Sequence, residues 1–151
     1  MRIELDDLTR PEVLDLLREH LRCMALASPP ESIHALDLDG LRQSDVTFWT
    51  VWEGDELAGC GALKQIDSRH GEIKSMRTAY VFQRRGVAKL ILQHLISEAQ
   101  RRGYKRLSLE TGSMEYFEPA RKLYAGFGFE FCPPFGPYRE DPNSTFMSLA
   151  L

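Results

Sequence analysis

The stretch QRRGVAKLILQHL, residues 83 to 95, sets two arginines and a glycine directly before a helix-forming segment. A helix start leaves its first backbone N–H groups without intrahelical partners and carries the positive end of the helix dipole. Gly86 and Ala88 keep this start narrow enough for a ligand to touch backbone. Gln83 to Lys89 therefore read as an anion site suited to phosphate. Two familiar phosphate motifs do not occur. There is no G-x-x-x-x-G-K-[ST], and a G-x-G-x-x-G would need glycines where Ala88 and Ile91 stand.

The elements around this turn follow from periodicity. Behind Gly86, apolar residues at 88, 91, 92, 95, 96 and 99 form one stripe, so a helix over about 87 to 102 docks on a sheet. Residues 72 to 78 before it and 106 to 111 after it read as strands. Upstream, a strand at 2 to 5 precedes a helix opened by Thr9 and Glu12 at capping-box spacing, with Pro11 in the first turn. A weaker helix is expected from Glu31 to about Leu41. Residues 46 to 53 and 57 to 66 form antiparallel strands, the first rich in β-branched and aromatic residues. A helix over about 119 to 125 and a closing strand in TFMSLAL complete a single α/β domain over residues 1 to 151, with a mixed sheet.

ARKLYAGFGFE, residues 120 to 130, follows the helix start in fixed order with a strand between them. Gln83, Gly86 and Ala88 supply a Q/R-x-x-G-x-G/A pattern; Ala120, Leu123, Tyr124, Gly128 and Phe129 supply A-x-x-L-Y-x-x-x-G-F. In these two motifs the chain resembles the GNAT superfamily of acetyl-coenzyme A-dependent N-acetyltransferases, specifically its small single-domain bacterial members. The resemblance spans essentially the whole chain. It implies a central sheet in which two parallel strands, here 72 to 78 and 106 to 111, splay to admit the cofactor. The coenzyme A pyrophosphate would lie on backbone N–H groups from Arg84 through Arg85, Gly86, Val87 and Ala88 to Lys89, and the pantetheine arm along Met76, Arg77 and Thr78. Arg84, Arg85 and Lys89 could add charge toward the phosphates.

The resemblance also implies roles. Tyr124 matches the family tyrosine that faces the coenzyme A sulfur and acts as acid. Glu72, eleven residues before Gln83, matches the glutamate base of the histone-acetylating branch; His70, Glu110 or a water are the alternatives. Strand alternation would put Glu72, Lys74, Met76 and Thr78 on one face. The chain departs from the family pattern at Phe117, where many members carry an asparagine that contacts the cofactor. With Ala120, Phe117 would supply an apolar contact instead.

The acceptor is expected between residues 25 to 41, strand 72 to 78 and the loop CPPFGPYRED (132 to 141), with Arg77 and Arg139 able to hold a carboxylate. The resemblance implies transfer of an acetyl group to a primary amine of a small molecule or protein, without metal. A non-catalytic acyl-coenzyme A binding module, or a transferase using another acyl group, are the alternatives.

Bulk properties fit. A net charge of −3 argues against nucleic acid as the main partner. No run approaches the roughly 20 apolar residues of a membrane span. Cys23, Cys60 and Cys132 match neither a zinc nor a disulfide pattern and read as mostly buried thiols of a cytoplasmic protein. Monomer and homodimer are both open.

Overall fold

The computed structural model describes residues 1–151. One seven-stranded sheet runs in the order β1-β2-β3-β4-β5-β7-β6, formed by β1 (Arg2–Leu5), β2 (Val46–Glu53), β3 (Glu56–Asp67), β4 (His70–Thr78), β5 (Arg106–Gly112), β6 (Glu130–Phe131) and β7 (Ser144–Ala150). The helices are α1 (Pro11–Ala27), α2 (Leu38–Leu41), α3 (Val87–Arg101) and α4 (Glu118–Gly126). Each face of the sheet carries its own core. Ile91, Leu92 and Leu95 of α3 pack with Leu63, Leu107, Leu109 and Met147 on one side. Val13, Leu16 and Leu17 of α1 pack with Cys60, Ala62 and Phe48 on the other. Full burial of each such aliphatic side chain is worth about 1.5–3 kcal/mol, which fixes both helices on the sheet.

All neighbouring strands are antiparallel except β4 and β5. These pair in parallel over three rungs only, His70–Arg106, Gly71–Leu107 and Glu72–Ser108. Beyond Glu72 and Ser108 the two strands separate, as the motifs implied.

Strand β4 is also bulged. Ala62 faces Lys74 but Cys60 faces Arg77, so Ser75 and Met76 together oppose Gly61. Ser75 takes φ +53°, rare for a non-glycine residue. The bulge corrects the expected alternation. Lys74 and Arg77 share the α1 face, where Arg77 reaches Glu19 and Cys23. Met76 packs with the α3 core instead.

Two further expectations change. The helix over 31 to 41 is a 3-10 turn at Pro30–Ser32 and the short α2, with extended chain between. Distant partners hold that segment open: Ser32 Oγ bonds Asp141 Oδ2 at 2.6 Å, and Lys74 Nζ donates to the His34 carbonyl at 2.9 Å. The capping box is not formed either. Thr9 bonds Asp7 through both its N–H and its hydroxyl, and α1 starts at Pro11 without a side-chain cap. Of the thiols only Cys60 is buried; Cys23 and Cys132 are half-buried, and all three are free. No helix is long and apolar enough to cross a membrane.

Candidate active site

A cleft of about 740 Å³ opens where β4 and β5 part. At one end stands the start of α3. Gly86 caps it in the left-handed region, φ +82°, and Arg84 before it also has positive φ, +63°. In this tight turn the N–H groups of Arg84, Arg85 and Gly86 donate to no acceptor in the protein. Those of Val87, Ala88 and Lys89 are the unpartnered donors of a helix start. Gln83, Arg84, Gly86, Val87, Ala88 and Lys89 all line the cleft. The Arg85 side chain does not; its guanidinium lies over the Phe82 ring, 4.8 Å from the centroid. Arg85 can therefore offer its backbone here, while its charge points elsewhere.

Met76, Arg77 and Thr78 form one wall, and Phe117, Ala120 and Tyr124 the other. Gly112 explains the phenylalanine: a Cβ on Gly112 would fall 2.1 Å from the Phe117 ring. The absent side chain and the added ring are one packing unit, so Phe117 presents an apolar surface to the cleft.

At the middle, the buried Tyr124 hydroxyl lies 4.0 Å from Met76 Sδ. Burial, with Glu110 nearby, pushes its phenol up to about 12, so it is neutral at ordinary pH. Glu110 is the only acidic residue lining the cleft. It stands two residues past Ser108, the last β5 residue paired to β4, and hence at the mouth of the splay. Burial raises its carboxyl to about 7; Ser144 and Lys74 pull it back, and Glu72 and Asp141 push it further up. The Ser144 hydroxyl is near enough to act on Glu110 but makes no well-formed hydrogen bond.

Glu72 does not line the cleft. It is buried, 3.2 Å from Lys74 Nζ, and accepts a hydrogen bond from the Tyr138 hydroxyl. Lys74 Nζ also donates to Tyr138 Oη at 2.8 Å. With His34 this engages all three ammonium protons. His70 is similarly occupied, with Nε2 2.6 Å from Ser108 Oγ.

Of the segment 25 to 41, Ser28, Ser32, Ile33, His34 and Ala35 line the cleft. No residue of the loop 132 to 141 lines the cleft; the loop touches its wall through Tyr138 on Lys74 and Asp141 on Ser32, and Arg139 is exposed away from the cleft. Sequence reasoning missed His20 and Met24, which α1 adds to the same wall. Their signal was a histidine on an otherwise apolar helix face. Burial, with Arg77 nearby, pushes His20 down to about 4, so its ring is neutral.

The profile of the acetyltransferase (GNAT) family matches residues 12–129. An uncharacterized N-acetyltransferase, YsnE, of Bacillus subtilis is 65% identical over 151 residues, covering 100% of both chains. An uncharacterized N-acetyltransferase, YedL, of Escherichia coli is 55% identical, covering 99% of this chain and 94% of its own. In three dimensions, the crystal structure of a Bacillus subtilis acetyltransferase in complex with CoA superposes with a TM-score of 0.74 at 24% identity. It covers 99% of this chain and 98% of its own.

Proposed function

Because the chain is an N-acetyltransferase belonging to the acetyltransferase (GNAT) family, we propose that its cleft binds acetyl-coenzyme A and passes the acetyl group directly to a primary amine. The observation that carries this reading is the single cleft. It joins the phosphate-ready start of α3 to Tyr124 and Glu110 at the strand splay. The cofactor's phosphates lie on the N–H groups of Arg84 to Lys89, with Arg84 and Lys89 adding charge. Its pantetheine arm runs along Met76 to Thr78, past Phe117 and Ala120. That a protein similar in fold was crystallised in complex with CoA supports use of this cofactor.

Attack requires a neutral amine. A lysine-like amine of pKa about 10.4 pays about 4 to 5 kcal/mol to be neutral near pH 7, so a base is needed. Glu110 takes that proton, directly or through one water, before the nitrogen bonds the thioester carbon, and the second proton that the nitrogen must lose passes to water from the tetrahedral intermediate. The oxyanion that forms takes its hydrogen bonds from backbone N–H at the β4 bulge, where two residues oppose one. The carbon–sulfur bond then breaks. Tyr124, kept neutral by burial, donates to the departing thiolate, and solvent restores both groups. The products are an acetamide and free coenzyme A. Glu72, the base implied by the resemblance, acts in this reading through Lys74, holding the charges that face Glu110.

The test is release of free thiol from acetyl-coenzyme A across an amine panel, with the wild type beside Glu110→Gln and Glu72→Gln. Turnover that needs Glu110 supports the proposal. A wild type that turns over no amine overturns acetyl transfer, and a Glu110→Gln variant with full turnover overturns the base.

A further inference from the structure

Five buried side-chain polar atoms in the chain lack a hydrogen-bond partner, and three of them belong to the cleft wall: His20 Nδ1, Ser75 Oγ and Arg77 Nε. Natural proteins leave few such atoms unpaired, so three on one wall are groups ready for a partner that enters the cleft. All three line one cleft, and His20 and Arg77 are neighbours. Arg77 bonds Glu19 and Cys23, which flank His20 on α1, and Ser75 sits at the bulge two residues before Arg77. Of the five N–H bonds of a guanidinium, Nη2 uses two, on Glu19 Oε1 at 3.1 Å and Cys23 Sγ at 3.2 Å. Nη1 uses one, on Tyr116 Oη at 3.4 Å. Nε–H and one Nη1–H have no acceptor.

The shared partner must accept hydrogen bonds. Nε–H can only donate, the Ser75 hydroxyl can donate, and the neutral His20 ring can present its proton at Nδ1. A guanidinium in the set selects an anion with paired oxygens. The one charge on Arg77, Glu19, has a side chain 33% exposed, so water weakens that pair and leaves positive potential toward the cleft. We propose that His20, Ser75 and Arg77 form a carboxylate subsite, and that the acceptor is an amino carboxylate whose amine faces Glu110. This deepens, and rests on, the acetyl transfer proposed above.

The experiment compares each amino acid with the amine that lacks only its carboxylate, by thiol release with the full chain. The N-acetylated form of each pair is titrated by calorimetry in the presence of coenzyme A. In the best pair the amino acid should lead in kcat/KM by about 10- to 100-fold, the range of a charge-assisted hydrogen bond. Arg77→Gln should bring the ratio near one, through KM for the acceptor. Arg77→Lys, which keeps a cation for Glu19, and Ser75→Ala should each reduce the ratio, so the test survives if Arg77→Gln folds poorly. Amines that perform as well as their amino acids overturn the subsite and leave acetyl transfer standing. Carboxylate-dependent binding of the N-acetylated probes, lost in the variants, without turnover of any amine would keep the subsite and remove acetyl transfer. No carboxylate dependence in either measurement, or a ratio unchanged in all three variants, overturns the subsite.

Discussion

The Tyr138 hydroxyl donates to Glu72 across 66 residues of chain, and both groups hold the Lys74 ammonium between them. The clasp ties the loop 132 to 141 to β4. Through the His34 carbonyl it ties down the other coil wall of the cleft as well. Removing the carboxylate would strand a buried cation, which costs about 3–5 kcal/mol. Glu72→Gln is therefore expected to unfold at distinctly lower denaturant. Its rising pH–rate limb should persist and move to lower pH, because one negative charge facing Glu110 is gone. A variant that loses the limb would make Glu72 the base.

Glu110→Gln should lower kcat/KM by about 10²-fold, the scale of general-base catalysis, and flatten the limb near pH 7. Stability should change in the opposite sense. Burial raises the Glu110 carboxyl to about 7 from 4.5, so the folded state favours the neutral acid. That contribution is full below about pH 4.5 and is lost as pH rises through 7. Glutamine stays neutral, so the variant should exceed wild type in stability at pH 8 by on the order of 2 kcal/mol, with little advantage at pH 4. Chemical denaturation at both pH values checks the sign.

Tyr124→Phe keeps the ring that packs beside Phe129 and removes the donor. It should lower kcat by about 10²-fold with acetyl-coenzyme A KM nearly unchanged, since the contact strengthens as the thiolate develops. Because burial holds the phenol at about 12, no decline in the wild-type rate is expected from its ionisation below pH 10. Steady-state kinetics of both proteins from pH 6 to 10 test this; equal kcat would leave Tyr124 a packing residue.

Gly86 separates backbone conformation from ligand binding. A Cβ there meets nothing within 4 Å, but φ is +82°. Gly86→Ala should cost about 1 kcal/mol of stability and keep most of the coenzyme A affinity. Gly86→Glu adds bulk and negative charge where the phosphates are placed and should weaken binding by more than tenfold in calorimetry, an effect of at least about 1.4 kcal/mol. Equal affinity in Gly86→Glu would move the pyrophosphate elsewhere.

Local order was legible in the residues themselves. The apolar stripe from Ile91 to Ala99, the β-branched and aromatic run of β2 and the turn before α3 each arise from neighbours along the chain, and so does the phosphate-ready helix start. The two spaced motifs carried the family and its splayed sheet. Tertiary structure decided which polar groups face the ligand. A one-residue bulge at Ser75 and Met76 sends Arg77 to the α1 face and Met76 to the other, which no alternation pattern can show. Glu72 and Glu110 look alike as strand carboxylates. Their surroundings part because Lys74 and Tyr138 close on one while the diverging strands leave the other in the cleft. The segment 33 to 37 is extended because Asp141 and Lys74, far away in sequence, hold its two sides. Periodicity records which side of an element is apolar; the fold alone brings charges from distant segments within bonding distance, and those distances set the chemistry.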